Sequence, residues 1–292
     1  MTLIAEYKNG NYSVRLFDDG TRVMRTDDEV FSAVFPDNID LKITDYCDGN
    51  CPMCHESSTV NGMHATFDAT FLNHLHKGTE LAIGGGDPFS HPDLESFLRR
   101  MNKIGVICNL TVNERHLPRY VETIRRFWKE GLLHGLGVSV SDLTDFTLEF
   151  AAVHPNTVLH AICGVMPANK LLATKSDNLK LLILGYKLHG RGKTYFSDGV
   201  LRSITDFSKH LPDLCQKFDV VSFDNPALEQ LHVQRRVSSQ TWKRFFCGKD
   251  GSNNLYIDLV RGVFAVSSRS DEVFPLMSTA EQMLDFIHKR YL

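Results

Sequence analysis

From residue 39 onward, short apolar runs alternate with longer amphipathic stretches. IDLKIT (39–44), ELAIGG (80–85), VICNLTV (106–112), GLGVSVS (135–141), TVLHAIC (157–163), KLLILGYK (180–187) and DVVSFD (219–224) have the length and composition of strands. Amphipathic segments near 67–77, 92–104, 117–130, 142–153, 168–177 and 201–217 predict helices between most of them. A repeated β-then-α order predicts a mostly parallel sheet, open or closed into a barrel. Two of the strands carry a further pattern. In VICNLTVN, Val106, Cys108, Leu110 and Val112 share one face and Asn109, Thr111 and Asn113 the other; in GLGVSVS, Leu136, Val138 and Val140 oppose Gly137, Ser139 and Ser141. Apolar side chains turned to helices and small polar ones turned inward predict a wet cavity; edge strands with a solvated face are the alternative reading.

The two ends depart from this rhythm. Residues 1–38 hold two turn signals, Asn9-Gly10 and Asp19-Gly20, between runs rich in β-branched and aromatic residues, which predicts a β-meander serving as platform or lid. Beyond 224 the alternation stops. The stretch 225–245 is irregular with a basic cluster (Arg235, Arg236, Lys243, Arg244), and LYIDLVRGVFAVSS (255–268) predicts a hairpin turning near Arg261-Gly262. The expected organisation is a meander over 1–38, a core over 39–224 and a C-terminal extension over 225–292.

Composition narrows the setting. The 292 residues, 42% hydrophobic and 23% charged, suffice for one large core or two modest ones. With 32 basic and 35 acidic residues the formal net charge is -3, which supplies no general pull toward nucleic acid or anionic membrane. No apolar run reaches the roughly 18 residues of a membrane span, and no signal peptide is recognisable. The expected location is a reducing cytoplasm, where clustered thiols serve metals rather than disulfides.

Three of the seven cysteines cluster: ITDYCDGNCPMCHES (43–57) spaces Cys47, Cys51 and Cys54 as C-x-x-x-C-x-x-C directly after a predicted strand. Thiolates are soft ligands for zinc or iron–sulfur clusters, and this spacing lets one loop wrap a single centre. A closed zinc site needs a fourth ligand, for which His55 or Cys247 is available. A [4Fe-4S] cluster can leave one iron without a protein ligand, and then three thiolates are enough. Cys108, on the apolar face of its strand, and Cys215, on a predicted helix, read as small core residues. Cys163, at a strand end, is open to either reading, and His55 and Glu56 either shape the site or cap the loop.

At these residues the sequence resembles the radical S-adenosylmethionine (radical SAM) enzymes, in which a CxxxCxxC loop after the first strand of a partial (β/α)6 barrel holds such a cluster. The resemblance covers roughly 39–224. Met53 stands where many members have an aromatic residue before the last cysteine. IGGGDP (83–88) looks like the family's Gly-Gly-Glu motif, with Gly85, Gly86 and Asp87 in the places that hold the amino group of SAM; Asp87 is one methylene shorter than the usual Glu. The physical chemistry agrees: glycines let backbone approach a ligand closely, and a carboxylate suits a cationic amine. The resemblance further implies SAM carboxylate and ribose contacts from Asn109, Thr111, Ser139 and Ser141, and an adenine seat against backbone at Gly185 and Tyr186. Arg191 and Lys193 read as an anion site or a solvated loop. FFCGKDGSNNLYIDLVRGVFAVSS (245–268) resembles the cysteine-hairpin-cysteine layout of SPASM or twitch extensions. Ser267 and Ser268 stand where the second cysteine would be, so an auxiliary cluster is expected to be absent.

The implied activity is reductive cleavage of SAM by a [4Fe-4S] cluster on Cys47, Cys51 and Cys54. It yields methionine and a 5′-deoxyadenosyl radical that abstracts hydrogen from a substrate, with a donor such as flavodoxin or ferredoxin supplying the electron. The degenerate hairpin leans toward a peptide or protein side chain as substrate. A nucleotide or nucleic-acid base, with phosphates on the basic clusters, is the runner-up, and a non-catalytic zinc-binding protein the alternative of another class.

Overall fold

The structure, a computed structural model, describes residues 1–175 and 177–292. Strands β1 (Leu3–Asn9), β2 (Tyr12–Phe17) and β3 (Arg22–Arg25) form the expected meander as a separate antiparallel sheet. Its two turns place Gly10 and Gly20 at positive φ, 55° and 85°. The meander is tied to the core through Asp37, fully buried, which accepts hydrogen bonds from Tyr7, Asn9 and Tyr12.

The main sheet takes β4 (Asn38–Thr44), β5 (Glu80–Gly85), β6 (Ile107–Asn113), β7 (Gly135–Ser139), β8 (Thr157–Ile162), β9 (Lys180–Leu184) and β10 (Val220–Phe223) in simple chain order, every neighbouring pair parallel. Between and after them run α1 (Leu94–Lys103), α2 (Leu117–Lys129), α3 (Asp145–Val153), α4 (Ala168–Leu172), α5 (Arg191–Tyr195), α6 (Asp198–Lys209), α7 (Leu211–Lys217), α8 (Asn225–Gln230) and α9 (Ser239–Phe245). Sequential parallel order with right-handed crossovers puts the connecting helices on one face. The burial pattern agrees: in β6 the apolar Cys108, Leu110 and Val112 are buried, while Ile107, Asn109, Thr111 and Asn113 are only half-buried.

The C-terminal extension contributes more than a hairpin. β11 (Asn254–Asp258) pairs antiparallel with β12 (Val263–Ala265) as expected, with Gly262 at φ 67° in the turn, but it also pairs in parallel with β4. β13 (Phe274–Pro275) ends the sheet beside β12, and α10 (Ala280–Tyr291), opened by a Thr279–Gln282 capping box, packs Met283, Leu284 and Ile287 into the core.

Some expected elements differ. The segment 67–77, rich in Thr, His and Asn, forms only a 3₁₀ turn over Thr70–Asn73. The helix expected over 201–217 is two helices, broken before Pro212. The helix expected over 168–177 ends at Leu172, and Ser176 lies outside the described residues. Cys215 is exposed on α7 rather than in the core, whereas Cys108 and Cys163 are buried. Among the described residues no helix is long and apolar enough to cross a membrane.

Candidate active site

The cysteine loop is closed by its own backbone. Ala65 N–H donates to Ile43 O (2.9 Å), Asp45 N–H to Met63 O (2.8 Å) and Cys47 N–H to Thr59 O (2.9 Å), so residues 59–65 return alongside the end of β4. The return requires Gly62, since a Cβ there would lie 2.0 Å from Asp45 O. Asn50 and Ser57, at φ 44° and 55°, bend the loop between these seams. Arg191 clamps it from outside: its backbone N–H donates to Cys54 O (3.0 Å), Nε to Cys51 O (3.0 Å) and Nη1 to Ser58 O (2.9 Å). The guanidinium is therefore engaged by the loop, and both readings of Arg191 from the sequence, an anion site or a solvated loop, give way to a structural role.

The three thiols are half-buried. Gly49 N–H donates to Cys47 Sγ (3.3 Å), and Asn113 Nδ2, on the inward face of β6, reaches Cys51 Sγ at 3.8 Å. Burial pushes the Cys47 and Cys51 thiols up, so metal binding here has to release protons. The two residues read as a fourth zinc ligand have other surroundings: Cys247 lies among Arg22 and Asp37, and His55 Nε2 faces Glu56 (3.2 Å) and Lys187 (3.5 Å).

Gly85, Gly86 and Asp87 run directly beside this loop. Gly86 N–H donates to Thr44 O and Asp87 N–H to Tyr46 O, both at 2.7 Å. A Cβ at Gly85 (φ 113°) would lie 2.4 Å from Thr44 O, and one at Gly86 2.1 Å from Tyr46 O. The glycines thus let two backbones pass in contact. The Asp87 side chain is buried: Oδ2 accepts from Tyr120 O–H (2.8 Å) with His116 Nδ1 at 3.6 Å, and Oδ1 has no partner. His116 Nε2 in turn meets Asp48 Oδ1 at 2.7 Å, inside the cysteine loop.

Of the other residues singled out from the sequence, Asn109, Thr111 and Ser139 lie half-buried on the inward face, and Met53 within the loop. Gly135 and Gly137 leave room there for the side chains of Asn109 and His160, whose atoms would lie 2.8 Å and 2.2 Å from an added Cβ. Ser141 is tied through its backbone N–H and its hydroxyl to the buried Glu114. Gly185 N–H donates to Asp224 and Tyr186 N–H to Gln230, so these two amides, expected to meet adenine, are already satisfied within the chain.

No known family model matches the chain, and no curated protein does. Solved structures do. Streptococcus suis SuiB bound to its precursor peptide SuiA superposes with a TM-score of 0.61 at 12% identity, over 89% of this chain and 66% of that one. SuiB bound to S-adenosylmethionine gives 0.59, 12%, 89% and 65%, and a further SuiB structure gives 0.55, 13%, 89% and 67%. The chain has the SuiB fold. It spans about two thirds of SuiB's length.

Within the SuiB fold, a cavity of about 490 Å³ opens between the cysteine loop and the C-terminal hairpin, lined by His55, Glu56, His189, Tyr256, Ser267 and Ser268 among others. On its wall Lys42 Nζ, 7% exposed, meets Asp45 (2.6 Å), Glu56 (2.9 Å) and Asp258 (3.1 Å), joining β4, the loop and β11. Burial opposes the Glu56 charge, but bonds from His55 and Lys42 hold its carboxyl well below the usual range. Asp40 lies exposed on the same face of β4. Desolvation raises it to about 6, against Lys187 and with Asp250, Asp224 and Glu56 adding repulsion. Asp40 thus shares its surroundings with Lys187, Asp224, Asp250 and Glu56.

A carboxyl whose folded pKa is raised binds its proton more tightly in the folded state, so stability falls as pH rises from the ordinary value of 3.8 through about 6. Asp40→Asn is therefore expected to raise Tm at pH 7.5 (about 7.5 being above both values), with the gain gone near pH ~4. Melting curves across this range check it; an equal gain at both ends would contradict the assignment.

Proposed function

We propose that this chain is a radical SAM enzyme whose Cys47, Cys51 and Cys54 hold a [4Fe-4S] cluster. The observation that carries the reading is the pairing of two features: three half-buried thiols on one loop directly after β4, and beside Cys47 a buried carboxylate, Asp87, with one unpaired oxygen. When bound, the cluster supplies one electron to SAM, releasing methionine and a 5′-deoxyadenosyl radical able to abstract hydrogen.

The chain's residues do the rest. Asn113 and the Gly49 amide donate to the ligand sulfurs, a contact that tunes cluster potential. Asp87 receives the SAM ammonium, and Asn109, Thr111 and Ser139 present hydrogen-bonding groups for its carboxylate and ribose. The sequential parallel order of β4–β10 supports a partial (β/α)6 barrel, whose lumen would keep bulk water from the reacting carbon.

The substrate we propose is a peptide or protein side chain reaching the lumen past the C-terminal hairpin. The binding of a precursor peptide by SuiB supports this, and so does the charge around Asp40. Around Asp40 lie Lys187 and three acids, Asp250, Asp224 and Glu56, a mixed surface suited to the polar and charged groups of a peptide. Two of the basic residues read as phosphate contacts, Arg191 and Arg236, are bonded within the chain instead. The electron is expected from a small carrier such as flavodoxin or ferredoxin.

Anaerobic reconstitution followed by metal analysis tests the reading. About four irons per chain are expected, the content of one such cluster. About eight would mean an auxiliary cluster, and stoichiometric zinc without iron would replace the proposal with a zinc-binding protein.

A further inference from the structure

We infer that Tyr120 is a positioning residue for SAM, fixing the Asp87 carboxylate so that one oxygen is held by the protein and the other is left for the ammonium; the inference rests on the radical SAM reading. Tyr120 lies on α2, and its hydroxyl donates to Asp87 Oδ2 at 2.8 Å while Oδ1, also buried, has no partner. The phenol ring is itself held, stacked on Phe89 at 5.0 Å and 19°, two residues past Asp87. Burial first, then the Asp87 bond and charge, push the Tyr120 phenol up, so it remains a donor.

The surrounding bonds make the arrangement a brace between two loops. His116, 3% exposed at the start of the same helix, sits between Asp87 Oδ2 (3.6 Å) and Asp48 Oδ1 (2.7 Å), and Arg119 Nη1 holds Asp48 Oδ2 at 2.7 Å. The cysteine loop and the glycine-acid loop are thereby registered against one helix end. Asp87 has one rotatable bond fewer than a Glu, and the Tyr120 donor fixes the remaining rotation of its carboxylate. A carboxylate with one oxygen hydrogen-bonded and the other free is oriented toward a single cationic partner.

The test compares two ligands on anaerobically reconstituted protein with equal iron content: SAM, and desamino-SAM, in which hydrogen replaces the α-ammonium. Dissociation constants are measured for the parent, Tyr120→Phe and Asp87→Asn. Loss of a hydrogen bond to a charged group is worth roughly tenfold or more. Tyr120→Phe is therefore expected to weaken SAM by about tenfold while desamino-SAM binding changes by less than about twofold, and Asp87→Asn to show the same selectivity more strongly. Equal weakening of both ligands, or of neither, in Tyr120→Phe would overturn the inference alone. A parent protein that carries four irons but binds no SAM would overturn the underlying reading and this inference with it.

Discussion

Cys51→Ala is expected to abolish SAM cleavage, with iron content falling from about four per chain toward zero after anaerobic reconstitution. Three thiolates are the fewest that hold a cluster with one open iron, so removing one leaves two protein ligands and no stable site. Cys51 is the most informative of the three because it is held from two sides: its carbonyl by Arg191 Nε at 3.0 Å and its sulfur by Asn113 Nδ2 at 3.8 Å. The alanine variant keeps the carbonyl contact, so the loop backbone stays clamped. The loss is then chemical rather than structural, and an unchanged melting temperature of the metal-free protein checks that separation. Cys215→Ala, on the exposed face of α7, is expected to retain full iron and activity.

The second large effect is on stability. Lys42→Met is expected to cost about 3–5 kcal/mol, because it leaves Asp45, Glu56 and Asp258 facing one another without their shared cation. Its pH dependence carries the diagnosis. In the parent, Glu56 sits below its ordinary value of 4.5, so its contribution is present above that pH and is lost as pH falls toward the folded value. In Lys42→Met the three carboxylates repel without a cation, the Glu56 carboxyl loses the bond and charge that held it down, and acid becomes stabilising. Denaturant unfolding is thus expected to show the variant gaining stability from pH ~7 to ~5 while the parent is flat or losing. Parallel pH profiles would mean that the lysine is not the group holding the cluster of acids together.

What was legible in the sequence was local or periodic. The cysteine spacing and the IGGGDP loop stand within a few residues each, and the two-residue period of β6 and β7 marked the inward face on which Asn109, Thr111 and Ser139 lie. Asn113 was on that same face, and only its place at the end of the strand, beside Cys51, makes it a sulfur donor. What escaped depends on pairing across long stretches of chain. Nothing near residues 254–258 signals that they add in parallel to β4, because a strand's partner is fixed by tertiary packing rather than by its own residues. That single pairing brings Asp258 to Lys42 and places the hairpin against the cysteine loop. Tyr120 could not be tied to Asp87 for the same reason: an amphipathic helix predicts which side faces inward, not which polar tip meets which carboxylate. Arg191, read as an anion site or part of a solvated loop, is neither, and only its three carbonyl partners, distant in sequence, give it its structural role.

The most direct test of the account is the formation of 5′-deoxyadenosine from SAM by the anaerobically reconstituted, chemically reduced protein, run beside Cys51→Ala and with a panel of peptides. The account predicts 5′-deoxyadenosine from the parent, increased by a peptide that is itself modified, and none from the variant. A parent that carries four irons and binds SAM yet forms no 5′-deoxyadenosine with any reductant or peptide would contradict it.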